Sequence, residues 1–363
     1  MDTRANLGAT DLSTTSEISG KGNSIAPEAT FIAAHSDVFC CPSCEGRLVL
    51  SANELQCETC RRLFSNTDDI PRMFVPNEWE KDHEDVTERM KQFYEATPFP
   101  NYDDFDSAGS LVDKARQGVF AKLLDEQLPS GTRVLEAGCG TGQLTAFLSI
   151  ANRTAIGVDL CLNSLTMAKQ FRDKNRLRTA HFLQMNLFRP CFRQNSFDVV
   201  ISNGVIHHTS DPYLAYQTLG RLVKHGGYLV IGLYHKYGRL ATDIRRGVFN
   251  LTRDHLKFLD PRNVSSLLSA GKRKAWFMDQ YKNPHESKHT VGQVLRWIDQ
   301  NGLRFVKSIP KTRLGASFSD AERLFEADEP GGSIERTLVE MSMSVWSSQI
   351  KEGGFFIVIA QKP

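Results

Sequence analysis

Val134-Leu-Glu-Ala-Gly-Cys-Gly-Thr-Gly-Gln-Leu144 is the stretch on which the fold turns. A short apolar run ends in an acidic residue, glycines follow at 138, 140 and 142, and a helix-like segment runs from Leu144 to Ile150. Glycines there let a strand turn sharply into a helix and bring a ligand against backbone where a Cβ would collide. Thr154-Ala-Ile-Gly-Val-Asp159 reads as the next strand, ending in a carboxylate placed to take the two hydroxyls of a ribose. A glycine-rich turn alone is a weak signal, because a dinucleotide-binding fold begins the same way.

The rest of the sheet separates the readings. Ser196-Phe-Asp-Val-Val-Ile-Ser-Asn203 predicts a fourth strand, followed by Gly204-Val-Ile-His-His-Thr209. Asp211-Pro212 supplies an N-cap and a first-turn proline, and Leu214, Leu219, Leu222 and Val223 follow at helical spacing. Gly226-Gly227 is expected to end that helix and Tyr228 to Leu233 to form a fifth strand. From about 130 to 235 the chain resembles the class I S-adenosylmethionine-dependent methyltransferases. The resemblance implies Glu136, Gly138, Gly140 and Gly142 along the methionine side of that cofactor, Asp159 at the ribose and Met185-Asn186-Leu187 around the adenine. Cys139, Leu160 and Asn203 stand in the same turns and join the cofactor set. Asn186 departs from the aspartate many members carry, yet its carbonyl oxygen can still accept from an exocyclic amine. An NAD-binding Rossmann domain is the competing account; the His-His loop and Asp-Pro helix favour the methyltransferase.

Beyond the fifth strand about fifty residues intervene before a capped helix, with Thr290 to Gln293 as the capping-box pattern, Val291, Val294, Leu295 and Ile298 on one face, and Gly302 as the stop. Leu303 to Ile309 predicts a sixth strand, and Gly353 to Ala360 a closing strand antiparallel beside it. Upstream, Ser110 to Asp113 suggests a capping box, with Leu111, Ala115, Val119, Leu123 and Leu124 on one apolar face. The expected fold is α/β, a seven-stranded Rossmann-like methyltransferase sheet with a small N-terminal zinc ribbon and helical insertions. The expected organisation is a disordered segment 1–33, a zinc ribbon 34–76, a helical linker and cap 77–129 and a methyltransferase domain 130–363, with insertions at about 235–289 and 311–352. The 363 residues are 40% hydrophobic and 24% charged, as in ordinary globular chains. No apolar run approaches the ~20 residues that cross a bilayer, and the first residues lack a secretory apolar core. A cytoplasmic location without membrane partners is expected; oligomeric state is not legible.

Cys41-Pro-Ser-Cys44 and Cys57-Glu-Thr-Cys60 are two CxxC turns twelve residues apart. Four thiolates from two such knuckles are the ligand set of a structural zinc, and so small a unit needs a staple to fold. Thiol redox chemistry and an iron–sulfur cluster are the alternatives, and Cys40 is a spare sulfur. The frame of both CxxC turns, Leu48, Phe64 and Asp69-Ile-Pro71 resembles the Trm112-like zinc domains that accompany methyltransferases. The resemblance implies stabilisation of the catalytic domain or help in presenting substrate.

Methyl transfer is a direct displacement that needs positioning and, for many acceptors, a base. His207 and His208 follow the fourth strand, where an imidazole can accept a proton near neutral pH; His207 is slightly favoured. Tyr234 and His235, at the end of the fifth strand, are the second catalytic pair. The aromatic stretches around Tyr94 and Tyr102 suit a pocket cover. Tyr281 and His285 are expected to approach the acceptor as part of a lid, with Arg246 as an anion contact. Ile201-Ser-Asn-Gly204 replaces the Asn/Asp-Pro-Pro-Tyr/Phe motif of many amino-methylating members, which lowers that chemistry. The main reading is a small-molecule acceptor, possibly anionic. RNA is the alternative, through Arg245, Arg246 and Lys272 to Lys274 and the zinc domain. A non-enzymatic zinc module on a degenerate fold is the third account. The net charge of +2 decides between none of them.

Overall fold

A computed structural model describes residues 27–51, 54–79, 85–99, 107–264, 269–346 and 354–363. The chain opens with helix α1 (Pro27–Ala34) and five short strands, β1 (Leu48–Ser51), β2 (Glu54–Cys57), β3 (Leu63–Phe64), β4 (Asn66–Thr67) and β5 (Ile70–Pro71). The expected disorder of 1–33 is therefore corrected over 27–33; residues 1–26 lie outside the described residues. The polar composition there hid four anchors. Ala29 and Ile32 are buried, Phe31 stacks on His181 with ring centroids 3.6 Å apart, and Glu28 is buried against Arg172 and His181.

β1, β2 and β3 form an antiparallel sheet and β4 pairs with β5. Just past β5, Arg72 bridges Gln184 in parallel and the Met73 amide donates to the Gln184 carbonyl at 2.9 Å. The module thus covers an exposed sheet edge, where unpaired backbone groups would otherwise invite aggregation. Its Val38, Phe39, Leu48, Leu55 and Phe64 share one core with Leu135, Val158 and Leu183 of the large sheet.

Helices α2 (Thr87–Ala96), α3 (Ala108–Arg116) and α4 (Val119–Gln127) lead into that sheet. Ser107, not Ser110, caps α3, and Ser110 is its reciprocal partner in the capping box. The apolar face expected across 111–124 is split between two helices, and Val119 is exposed.

The domain alternates β6 (Arg133–Ala137), α5 (Gln143–Ser149), β7 (Thr154–Asp159), α6 (Leu162–Asn175), β8 (Ala180–Gln184), β9 (Phe197–Asn203), a 3₁₀ turn Ile206–His208, α7 (Pro212–Leu222) and β10 (Val223–Tyr234). Asp211 caps α7 by accepting from the Leu214 amide. Gly226-Gly227 does not end that helix. β10 starts directly after Leu222, and the two glycines lie in an irregularity between Val223 and Tyr228.

The first insertion forms α8 (Leu240–Leu251), α9 (Pro261–Val264), α10 (Ala270–Phe277) and a π turn Met278–Lys282; α11 (Val291–Gln300), β11 (Arg304–Ile309), α12 (Ser333–Trp346) and β12 (Phe355–Gln361) complete the chain. The seven-stranded order is β11-β12-β10-β9-β6-β7-β8. β12 runs antiparallel to both neighbours, while β6 to β10 are parallel. Helices cover both faces, so the parallel strands read as near-continuous apolar runs. Crossovers diverge from β6 and β9, which opens a crevice at their carboxyl ends, where α/β sheets bind ligands.

Candidate functional site

A cavity of about 790 Å³ occupies that crevice. Glu136, at the end of β6, is buried and accepts from the Thr145 amide at 2.8 Å and from the Thr145 hydroxyl. Burial pushes its carboxyl up to about 7, against the Thr145 hydrogen bonds. Asp159, ending β7, accepts from the Gly140 amide at 2.8 Å and the Cys161 amide at 2.9 Å, and burial raises its carboxyl as well. A buried Glu136 and a half-buried Asp159, neither paired with a side-chain cation among the described residues, suit a ligand that brings its own positive charge and hydroxyl donors.

Gly138, Cys139, Gly140, Leu160 and Asn203 line this end, together with Met185 and Leu187. Gly138 has φ +79° and a Cβ there would collide with the Val205 side chain. Two expected cofactor contacts are corrected. Gly142 does not line the cavity; it starts α5 at φ +74°, and a Cβ would come 2.5 Å from the Phe182 ring. Asn186 also turns away. Its amide nitrogen donates to the Val75 carbonyl at 2.9 Å and to Asn77 Oδ1 at 2.7 Å, and its oxygen accepts from the Phe188 amide at 3.1 Å. The segment after the zinc module has claimed it.

At the other end, His208 lines the cavity and His207 does not. His207 is fully buried, with neither ring nitrogen hydrogen-bonded, and burial holds its pKa well below the usual histidine range. The preference for His207 as base is thereby corrected. His208 Nδ1 lies 2.8 Å from the His285 carbonyl, so Nδ1 carries the proton and Nε2 keeps the lone pair. Burial lowers its pKa, partly offset by Asp279.

Tyr234 lines the cavity, with its ring against Arg239 at 3.8 Å. His235 does not: it is fully buried, its Nδ1 accepts from the Gly238 amide at 3.2 Å and its Nε2 meets Glu340 at 3.1 Å, a brace between β10 and α12. Tyr94 lines the cavity and donates to Asp279 at 2.9 Å; Tyr102 lies outside the described residues.

The first insertion does roof the cavity, but through other residues than expected. Trp276, Asp279 and Gln280 line it, whereas Tyr281, His285 and Arg246 do not. Tyr281 packs between Phe249 and Phe277 and donates to Asp260 at 2.8 Å. His285 Nε2 meets the Thr209 carbonyl at 3.1 Å. Arg246 is committed to Glu286 at 2.9 Å and to the Gln280 carbonyl at 2.7 Å. Asp279, Gln280 and Tyr281 all lie on the π turn Met278–Lys282, whose wider turn sets which of them face the cavity. Phe99, Phe120, Phe318 and Phe355 complete an aromatic wall. No regular spacing marks them, because each comes from a different segment.

In the zinc module, the sulfurs of Cys41, Cys44, Cys57 and Cys60 all lie within 4.8 Å of one another. The pairs Cys41–Cys60 and Cys44–Cys57 are 3.7 and 3.5 Å apart, close to the roughly 3.8 Å edge of a sulfur tetrahedron with ~2.3 Å zinc–sulfur bonds. The Ser43 and Cys60 amides point at Cys41 and Cys57 sulfurs, which suits thiolates. The four residues can hold a metal ion and fit zinc, with no open coordination position. Cys40 is not one of the four; its amide donates to the Cys191 carbonyl at 2.9 Å.

Residues 135–231 match the family model described as a methyltransferase domain. An uncharacterized protein of Synechococcus is 28% identical over 72% of this chain and 67% of its own length. An uncharacterized methyltransferase of Mycobacterium bovis is 33% identical over 37% of this chain, which spans 64% of that protein. A chain in the complex of the Haloferax volcanii Trm112 methyltransferase activator with a methyltransferase is 13% identical, covering 70% of this chain and 93% of its own, at a TM-score of 0.42. The chain carries a methyltransferase domain of the class I S-adenosylmethionine-dependent fold. No described helix is long and apolar enough to cross a membrane.

Proposed function

We propose that this chain transfers a methyl group from S-adenosylmethionine to a small, largely apolar acceptor held under the helical roof, in the cytoplasm. The observation that carries this reading is the aromatic end of the cavity, walled by Tyr94, Phe99, Phe120, Tyr234, Trp276, Phe318 and Phe355. Mostly apolar, concave sites with a few placed polar groups take small molecules. The cofactor supplies an electrophilic methyl when bound; Glu136 would take its ammonium group and Asp159 its ribose. His208 Nε2 would receive the acceptor's proton, because the His285 carbonyl fixes the tautomer and burial keeps the ring neutral. The roof excludes water from the displacement.

An acceptor bound through Arg246 is not part of this reading, since no Lys or Arg lines the cavity among the described residues. The cysteine module is read as a Trm112-like stabiliser, because it covers the β8 edge and none of the described residues between 27 and 77 lines the cavity.

RNA is a second reading with one observation of its own. Residues 235–289 hold twelve Lys and Arg against five Asp and Glu, in a chain whose whole net charge is +2. Those of its cations that reach solvent can contact phosphates, although Arg239 is fully buried. Incubation of the full chain with methyl-labelled cofactor, purified total RNA and a solvent extract of small metabolites distinguishes the two. Label in the extract supports the small acceptor; label in RNA overturns it.

A further inference from the structure

Among the described residues, the charged side chains that line the cavity are three carboxylates, Glu136, Asp159 and Asp279. The first two stand at the cofactor end. Asp279 stands apart from them, on the roof. Its Oδ1 accepts from the Tyr94 hydroxyl at 2.9 Å, and its Oδ2 from Gln280 Nε2 at 2.9 Å with the Tyr234 hydroxyl 3.4 Å away.

All three donors are neutral. Arg239, behind the Tyr234 ring, is bound to Gln280 and at 3.0 Å to Glu286, a carboxylate it shares with Arg246, and it forms no ion pair with Asp279 among the described residues. Asp279 is buried and makes no ion pair among the described residues. A carboxylate in a dry place is costly unless paired or hydrogen-bonded. Here it is kept by phenol and amide donors that fix its orientation and add no positive charge. Each carboxylate oxygen has room for more than one donor, so the cavity side remains open to a ligand.

Resting on the methyltransferase reading above, we propose that Asp279 selects the acceptor by charge: it anchors a neutral or cationic group that donates a hydrogen bond, a hydroxyl or an amine, and repels carboxylates and phosphates. Tyr94, Tyr234 and Gln280 act as positioning residues that hold the carboxylate towards the cavity. Like charges at close range inside a low-dielectric wall repel strongly, so the discrimination against anions exceeds what shape alone would give.

The experiment uses the full chain saturated with S-adenosylhomocysteine and three probes on one apolar frame, 2-naphthol, 2-naphthylamine and 2-naphthoate, titrated by calorimetry. Expected is binding of the naphthol, the naphthylamine or both at least ~10-fold tighter than the naphthoate. Which of the two binds tighter assigns the hydroxyl or the amine. Asp279→Asn should cut the preference to below ~3-fold while changing S-adenosylhomocysteine affinity by less than ~3-fold. Should that variant fail to fold, Tyr94→Phe keeps the carboxylate but removes one positioning donor and should give an intermediate preference. Naphthoate binding as tightly as the others overturns the proposal. So does a preference that survives Asp279→Asn, or one unchanged in Tyr94→Phe if that variant is the one measured. Failure of all three probes in protein that holds S-adenosylhomocysteine overturns it too. Protein that does not bind S-adenosylhomocysteine overturns the methyltransferase reading instead, and the probe series on the free chain then judges Asp279 alone.

Discussion

At the cofactor end of the cavity, Glu136, Gly138, Cys139, Gly140, Asp159 and Leu160 come from one β-α-β unit, and backbone geometry sets their positions. The acceptor end takes Tyr94 from α2, His208 from the turn after β9, Tyr234 from β10, Trp276 from α10, Asp279 from the π turn and Phe355 from β12. One end is fixed by local chain direction and glycine dihedrals, the other by packing between elements far apart in sequence. The first should therefore fail sharply at single backbone positions, and the second should tolerate change except where one polar group carries the contact.

The largest effect expected is on the module that braces the cofactor end from outside. Removing its metal should unfold residues 34–76, since such sites supply folding free energy outright. With Met73 no longer paired to Gln184 nor Val75 to Asn186, a loss of ~3 kcal/mol or more would lower the melting temperature by roughly 4–6 °C or more. Scanning calorimetry before and after chelation checks this, and an unchanged transition would show that the module only decorates the domain. Gly138→Ala comes next. The added methyl meets Val205 at a positive φ, which costs on the order of 2–3 kcal/mol and should weaken S-adenosylhomocysteine binding ~30-fold or more. An alanine variant with native affinity would break the claim that backbone geometry sets this end.

A smaller, graded effect is expected with pH. In the free protein Glu136 holds its proton up to about 7, and it must lose that proton to pair with the ligand's ammonium. Affinity should thus rise by up to ~10-fold per unit as pH increases towards 7 and then level off. Glu136→Gln should flatten the profile; a wild-type profile already flat between pH 5.5 and 7 would contradict the assignment. The smallest effect belongs to Tyr281→Phe. Losing its hydrogen bond to Asp260 should cost about 1 kcal/mol of stability and change ligand affinity less than ~2-fold. A larger change in acceptor binding would restore Tyr281 to the site.

The same contrast decides what could be read from the residues. The turn after β6, the carboxylate ending β7, the Asp211 cap and the paired cysteines are local patterns with one physical meaning each, and they stand where expected. Gly142 and Asn186 lie in the expected loops, but their neighbours are protein rather than cavity. Whether a loop side chain faces ligand or core depends on Phe182 or Val75, which spacing does not reveal. On the roof, the polar run 279–289 pointed to the right segment. Its register hung on a π turn, so Asp279 and Gln280 face the cavity while Tyr281 faces Phe249. Glu28 shows the converse, a composition that looked disordered until Arg172 and His181 gave its charge a partner.

Calorimetric titration of S-adenosylhomocysteine into the wild-type chain, Asp159→Ala and Asp279→Asn, side by side, tests the division most directly. One ligand per wild-type chain is expected, with affinity weakened ~10-fold or more in Asp159→Ala, the ~1.5–3 kcal/mol of a hydrogen bond to a charged group, and within ~3-fold of wild type in Asp279→Asn. No binding to the wild type, or equal loss in both variants, would contradict a cavity divided into a cofactor end and an acceptor end.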